Sequence, residues 1–389
     1  MINETGPKLW QVAGALAVVV VSVGGMFALT RLTGRPMVTL GPVVGYATVH
    51  DQNAVLLAYG RTGGTIGPPF GSNDTWQERV AAVSLDSGEL LWDVQLHDSE
   101  GWERGVLAVA GGLAYVATDE GLSVLKTDDG SVVVDDLGDD YVESFNGYNV
   151  DPRINAVVAL TDSGAVAAAP LGTTDVAAVS DDIADGWRQT LIGDSSPTGD
   201  ADFGTIHVDP AAMPHGMVLP GGDLVSVPEP YRSPDPQLMR GGRTLARLDG
   251  LVSRELVYEV VRTPAALATP EQLREGTGMF THHHSSAVPL GIDHGVVLVH
   301  GEPAERPGTE EFRLFDVDTG DALAVIGGID GYERATATPD GSILIIGAAE
   351  GSGLDNDRAI VVHPDGRSTM TQIGDTDFWG RTRANVTTL

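Results

Sequence analysis

Cysteine is absent from the 389 residues of this chain, and lysine occurs only as Lys8 and Lys126. Without cysteine there is no disulfide framework, although this absence does not indicate a compartment. The 23 basic residues are outnumbered by 54 acidic ones, which gives a net charge of −31. Such a surface repels nucleic acid and anionic lipid, so we expect no nucleic-acid partner.

Helical patterns are also scarce. The best helix candidate is the segment 263–276, which has Thr-Pro at its start and a glycine at its end. The chain is instead rich in glycine, with 50 residues, and in short runs of Val, Ala, Leu and Ile. Short β-compatible runs separated by turn residues predict an all-β fold.

The segment AVSLDSGELLWDV (82–94) predicts a β-hairpin. Asp86 and Gly88 supply a tight turn, because an Asx side chain bonds the local backbone and glycine tolerates positive φ. After the turn, Trp92 and its apolar neighbours alternate with Asp93 and another polar residue. This period of two is typical of a half-buried strand, with Trp92 docked on its buried side.

The same pattern of strand, turn and strand recurs along the chain. The first copy has the turn residues Asp86 and Gly88 and the docking residue Trp92. The turn residues of the later copies are Asp128 with Gly130, Asp318 with Gly320, and Asp365 with Gly366. The turn glycines are 42 residues apart in the first two copies and 46 apart in the last two, which matches the repeat of four-stranded propeller blades. We therefore predict a β-propeller over 43–389, with six to seven blades and eight as the upper limit. We also expect its first and last strands to meet in one blade.

Asp86, Gly88 and Trp92, after a strand that ends Ala-Val-Ser-Leu, resemble the repeat of the pyrroloquinoline-quinone-like β-propellers. The later copies have Val134 or Ala324 in place of the tryptophan. The resemblance implies a ring of four-stranded blades, similar in architecture to a WD40 propeller, around a central channel and outside the cytoplasm. Enzymes of this family bind the quinone and calcium, and many use an adjacent cysteine pair that this chain lacks. We therefore expect the fold without the cofactor.

The longest hydrophobic run, 9–30, contains 22 residues and no charge. As a helix it would be about 33 Å long, enough to cross a hydrocarbon core of about 30 Å. We predict a retained transmembrane helix here, between an N-terminal tail (1–8) and a linker (31–42). A cleaved signal peptide is the alternative, but the run is longer than usual for one and no clear cleavage site follows it. The few flanking charges slightly favour a cytoplasmic ring, whereas the resemblance implies the opposite, so we expect a single-pass protein of the cell membrane with an extracytoplasmic propeller.

Three stretches raise the possibility of a ligand site. His282 and His284 would lie on one face of a strand and could bind a metal, but a solvated loop explains them better. Asp316 and Asp318 resemble the start of a calcium loop, yet the glycine and glutamate that such a loop needs are missing, so a blade turn explains them. The glycine-rich stretch 60–71 lacks the Lys-Ser/Thr of a phosphate loop and is interpreted as a connection.

Several common catalytic signatures are missing from the sequence, including G-x-S-x-G, H-E-x-x-H and a dinucleotide fingerprint. We predict no catalytic or cofactor-binding residue and no cofactor. The expected function is a non-catalytic binding or scaffolding module, tethered to the membrane and bound to a protein partner in the cell envelope. The alternatives are a quinoprotein-type oxidoreductase that binds quinone and calcium, and a metal-binding propeller that uses His282 and His284.

Overall fold

The structure is a computed structural model, and β-strands make up most of the part of the chain that it describes. That part comprises residues 37–62, 76–99, 101, 103–135, 141–188, 191, 216–218, 224–226, 237–251, 257–260, 263–264, 287–288, 296–349, 357–376 and 382–388. The β-rich architecture agrees with the predicted fold class and is consistent with a propeller.

The described strands follow one another with short connections in most of the chain. They are β1 (Val38–Val49), β2 (Gln52–Thr62), β3 (Trp76–Ser84), β4 (Leu90–His97), β5 (Arg104–Ala110), β6 (Leu113–Thr118), β7 (Gly121–Lys126), β8 (Val132–Val134), β9 (Tyr148–Asp151), β10 (Ala156–Leu160), β11 (Val166–Pro170), β12 (Ala177–Ala178), β13 (Gly216–Val218), β14 (Leu224–Ser226), β15 (Gln237–Arg240), β16 (Arg243–Arg247), β17 (Val257–Val260), β18 (Thr263–Pro264), β19 (Ala287–Val288), β20 (Val296–Gly301), β21 (Glu310–Asp316), β22 (Ala322–Ala337), β23 (Ile343–Ala349), β24 (Arg358–Val362), β25 (Ser368–Thr376) and β26 (Thr382–Thr388). The first strand therefore begins inside the segment predicted as a linker.

These strands form antiparallel sets of four, which we number as units. Unit 1 is β1–β4, unit 2 is β5–β8, unit 3 is β9–β12 and unit 4 is β13–β16. Unit 5 is β17, β20, β21 and the first half of β22, and unit 6 is the second half of β22 with β23, β24 and β25. Strand β26 pairs with the outer side of β25, and β18 pairs with β19 in a separate small sheet. A single parallel pairing, Val43 with Gly105, joins units 1 and 2.

Units 1, 2, 5 and 6 each bury both faces of the sheet against neighbouring units. In β3, Val80 and Ala82 pack against unit 2, whereas the alternate residues Ala81 and Val83 pack against unit 6. Similar clusters join unit 2 to unit 3, unit 4 to unit 5, and unit 5 to unit 6. The described contacts thus run through the units in the order 4, 5, 6, 1, 2, 3, which is consistent with a propeller. Alternating residues of a strand therefore face two different hydrophobic interfaces between units. We call each of these interfaces a seam.

The first and last units are in direct contact, but they do not share strands as predicted. Strand β26 pairs with β25, and β1 pairs with β2 and β5, so the expectation that the chain ends meet in one blade is wrong. Side-chain packing of Leu344, Ile346 and Val361 against unit 1 joins the two units instead. A hydrogen bond of 2.9 Å from the Thr371 hydroxyl to the Gly88 carbonyl adds to this contact.

The described helices are a short 3-10 turn, Phe145–Gly147, and an α-helix, α1, Asp181–Arg188. Two aspartates in its first turn favour α1, and Trp187 donates a 2.7 Å hydrogen bond to the buried carboxylate of Asp151 in unit 3. Sequence reasoning missed this helix and proposed 263–276 instead. Residues 263–264 form β18, and 265–276 lie outside the described residues.

None of the helices in the described ranges is long and apolar enough to cross a membrane. The predicted span, 9–30, lies outside the described residues, as do the tail before it and the first half of the linker after it. Membrane attachment therefore stays a prediction from the sequence.

Candidate functional site

The repeated turn residues all lie between the third and fourth strands of a unit. Gly88, Gly130, Gly320 and Gly366 have φ values of 72°, 70°, 77° and 84°, a region that a residue with a Cβ rarely adopts. The amide of Gly88 donates to the Ser84 carbonyl at 2.9 Å, and Gly130 and Gly320 close their turns in the same way. A tight reversal of this kind needs glycine at its last position.

The predicted aspartates do not all have the role that an Asx turn assigns to them. The side-chain oxygens that accept turn amides include those of Ser84 in unit 1, Asp129 in unit 2 and Asp316 in unit 5. In unit 6 such an oxygen belongs to Asp365, a predicted residue. Asp318 instead pairs with Arg240 of unit 4, at 2.5 Å.

Each of these turns packs on the fourth strand of the preceding unit. A Cβ on Gly130 would lie 2.7 Å from the Trp92 ring, and one on Gly320 would lie 2.1 Å from the backbone oxygen of Leu245. Gly366 meets the backbone of Leu323 in the same way. Trp92 also donates a 2.8 Å hydrogen bond from its indole nitrogen to the carbonyl of Thr127. Trp92 therefore joins two units, and the close approach explains why glycine follows in the next turn.

A first polar cluster is buried between unit 1 and unit 6. The Arg79 guanidinium pairs with Asp93 at 2.7 Å, and the Tyr59 hydroxyl donates to the same carboxylate at 2.5 Å. Burial and the charge of Asp93 raise the pKa of the Tyr59 hydroxyl, while burial raises the pKa of Asp93 against the effect of Arg79. The sequence predicted a half-buried strand with Asp93 on its solvent-exposed face. Both faces of the strand are covered by neighbouring units, so Arg79 and Tyr59 provide the partners of the Asp93 carboxylate.

A second cluster lies on the opposite face of unit 1, against unit 2. Glu78 begins the apolar row of β3 that faces this seam, and its side chain is 1% exposed. The Arg104 guanidinium, 4% exposed, lies 3.9 Å from the Glu78 carboxylate and also donates to the carbonyls of Thr39 and Gly101. Burial raises the pKa of Glu78 to about 7, although the Arg104 charge and the Thr118 hydroxyl oppose the rise.

Glu78 is a buried carboxyl group of the described part whose pKa is shifted toward neutrality. A carboxyl group with a pKa near 7 can accept or release a proton at neutral pH, and such groups concentrate at functional sites. Backbone groups at this end of the seam are held by Asp119, whose carboxylate accepts from the amides of Glu103 and Phe145. The same end of unit 1 carries the glycine-rich connection between β2 and β3, of which 63–75 lie outside the described residues.

Sequence reasoning missed Glu78, although a signal was available. An acidic residue occurs six positions before the residue that opens the turn in four units, as Glu78, Glu120, Glu310 and Asp357. Alignment of the copies on their turns would have shown this column. It marks the start of the third strand, where the backbone enters the seam between units.

A small cleft lies at the opposite end of the unit 1 strands from Glu78, at the seam between units 6 and 1. It has a volume of about 180 Å³ and is lined by Tyr46, Thr48, Asn53 and Asp340 among others. The neighbouring β1–β2 turn holds His50 at a φ of 48°, and the residue after it is also in this region. Non-glycine residues there carry strain, which is typical of turns with a structural or functional constraint.

The predicted metal candidates, His282 and His284, lie outside the described residues. Among the described residues, no group of three or more His, Cys, Asp or Glu side chains is arranged to hold a metal ion. The aspartates of the calcium-like stretch lie in the β21–β22 turn, where Asp316 accepts the amides of Asp318 and Thr319.

No protein-family model matches the chain, and no curated protein matches its sequence. Solved structures to which the chain shows a weak similarity include Sqt1 from Chaetomium thermophilum, with 12% identity over 90% of this chain and 84% of that chain and a TM-score of 0.25. They also include the calcium-binding protein regucalcin from Agrobacterium tumefaciens (15%, 84% and 88%, TM-score 0.26) and oligogalacturonate lyase from Vibrio parahaemolyticus (9%, 88% and 88%, TM-score 0.24). With TM-scores this low, these similarities carry no argument about function.

Proposed function

We propose that the chain is a membrane-tethered, six-bladed propeller of the pyrroloquinoline-quinone-like type that acts as a non-catalytic binding or scaffolding module. Residues 9–30 form its tether, and the ring lies outside the cytoplasm. Its partner is another protein of the cell envelope. The units are the blades, and their filled seams make the ring a rigid platform.

The observation that carries this proposal is the apolar character of the outer strands. The large hydrophobic side chains that are exposed in the described part are Val132, Val133, Val176, Leu323 and Val325. All of them lie in or beside the fourth strand of a unit, at the rim of the ring. Exposed apolar groups gathered at one kind of position are typical of surfaces that bind proteins.

The charge of the chain adds a second element to the proposal. With 54 acidic and 23 basic residues, the surface attracts a basic partner and repels acidic ones. A rim that combines exposed valine or leucine with surrounding carboxylates suits a protein surface that is apolar at its centre and basic around it.

The test is site-specific photocrosslinking of the full chain in its native membrane. A photoreactive residue replaces Val133 or Val325 at the rim, and a matched control replaces Asp162 in the exposed β10–β11 turn. We expect a reproducible adduct of one size from the rim positions and none from the control. A protein that forms no adduct at any rim position would contradict the scaffolding proposal.

Two further measurements test the other parts of the proposal. Protease treatment of intact cells should digest the ring, and a ring left whole would place it on the cytoplasmic side. Added quinone and calcium should give no bound chromophore and no dye-linked oxidation, whereas a saturable spectrum would favour the oxidoreductase alternative.

A further inference from the structure

The outer edge of unit 2 is formed by a short strand. Strand β8 has only three residues and pairs with β7 through two positions. Val132 and Val133 are 41% and 44% exposed, and within the described residues no strand pairs with the free side of β8. A free edge presents unpaired amide and carbonyl groups that can pair with an added strand.

The last unit shows that this position in the fold accepts an additional strand. Strand β25 is the fourth strand of unit 6, as β8 is of unit 2, and β26 pairs with its outer side in antiparallel register. The pairing extends from Thr369 with Thr388 to Thr376 with Thr382. An outer strand of a unit can therefore hold a fifth strand without disturbing the seams.

The charges around β8 indicate which kind of strand would fit. The exposed carboxylates of Asp128 and Asp129 precede it, and that of Asp135 follows it. The hydroxyl and amide of Ser131 lower the pKa of Asp129, so this group stays ionised at neutral pH. A second copy of this chain would bring the same carboxylates and be repelled, whereas a segment with basic ends would be attracted.

We infer that β8 is a docking edge for an extended basic segment of a partner protein, which adds to unit 2 as a fifth strand. The inference rests on the proposed function and specifies the partner's chemistry. β-branched residues at the centre of the segment cover Val132 and Val133, while lysine or arginine at its ends faces the aspartates. Backbone pairing supplies affinity, and the charges set specificity.

The test uses the full chain in detergent micelles and the synthetic peptide Ac-KTVTVR-amide, with Ac-ETVTVE-amide as the charge-reversed probe. The basic peptide should bind at least about tenfold more tightly than the acidic one and should weaken with added salt. Bound basic peptide should also slow amide exchange at 131–135. Equal binding of both peptides, or protection elsewhere without protection here, would overturn the inference.

Variants separate the edge from the rest of the rim. The double substitution V132K/V133K places lysines at exposed positions, so it should preserve folding but reduce peptide binding at least about tenfold. The matched control L323K/V325K changes the exposed outer strand of unit 5 and should leave binding unchanged. Equal loss in both variants would overturn the docking edge.

The same variants distinguish this inference from the proposed function. If membrane crosslinking recovers a partner and V132K/V133K leaves the adduct intact, the scaffolding function is supported and the docking edge at β8 is refuted. If no partner is recovered but the basic peptide binds at 131–135, the edge stands and the proposed function falls.

Discussion

Glu78 provides the sharpest test of the seam between units 1 and 2. Its carboxyl has an ordinary pKa of 4.5 and a pKa of about 7 in the folded protein, because burial disfavours the charged form. The folded state therefore binds the proton more tightly than the unfolded state. The stability that Glu78 contributes is fully present below pH 4.5 and is lost as the pH rises through about 7.

The size of the effect follows from the two pKa values. Between them, the free energy of unfolding falls by about 1.4 kcal/mol for each pH unit, so the total is about 3 kcal/mol. The substitution Glu78→Gln keeps the shape of the side chain and removes its titration. The difference in unfolding free energy between wild type and variant should therefore change by about this amount between pH 4.5 and 8.

Urea unfolding of the full chain in detergent, followed by tryptophan fluorescence across this pH range, measures the difference. Subtraction of the variant's profile removes the titration of the other acidic residues. The matched control is Glu89→Gln, which changes an exposed carboxylate in the β3–β4 turn of the same unit and should follow the wild type. Parallel profiles for wild type and Glu78→Gln would refute the argument from burial.

Three further predictions concern the contacts between units, each measured by the free energy of unfolding. Trp92→Phe removes the hydrogen bond to Thr127 and should cost about 1 kcal/mol, and an unchanged stability would show that this bond contributes nothing. Gly130→Ala should destabilise by about 1–3 kcal/mol more than Gly112→Ala, because both positions have positive φ but only the first meets a ring; equal losses would exclude packing as the cause. Asp93→Asn leaves a buried guanidinium without its counter-ion and should cost about 3–5 kcal/mol, whereas a small loss would mean that water reaches it.

The turns and the strands could be predicted from local patterns of the sequence. Gly88 and Gly130 were identified as turn residues because a backbone with positive φ selects glycine whatever surrounds it. The alternating strands were readable for a similar local reason, since side chains of a strand point to opposite faces. The number of units, by contrast, was predicted only as six to seven with eight as the upper limit, because the repeat does not show where an insertion such as α1 interrupts it.

The polar residues inside the seams could not be predicted in the same way. In a sheet with one buried and one solvent-exposed face, Asp93 would face water. It is an interior residue only because unit 6 packs on unit 1. Glu78 continues an apolar row, so its burial depends on where the next unit lies. The partner of β26 was missed for a related reason, because several strand edges compete for a terminal segment and sequence periodicity does not rank them.

Strand β22 has a mechanical consequence for the molecule. Its residues, Ala322–Ala337, pair with β21 at one end and with β23 at the other, so the backbone crosses from unit 5 to unit 6 without a loop. A chain under load would find no loop to extend there, because the two ladders meet at Ile329, which pairs with Glu310 in unit 5 and with Ala349 in unit 6. Engineered termini or inserted domains should therefore be better tolerated at the loop-connected junctions than at this one.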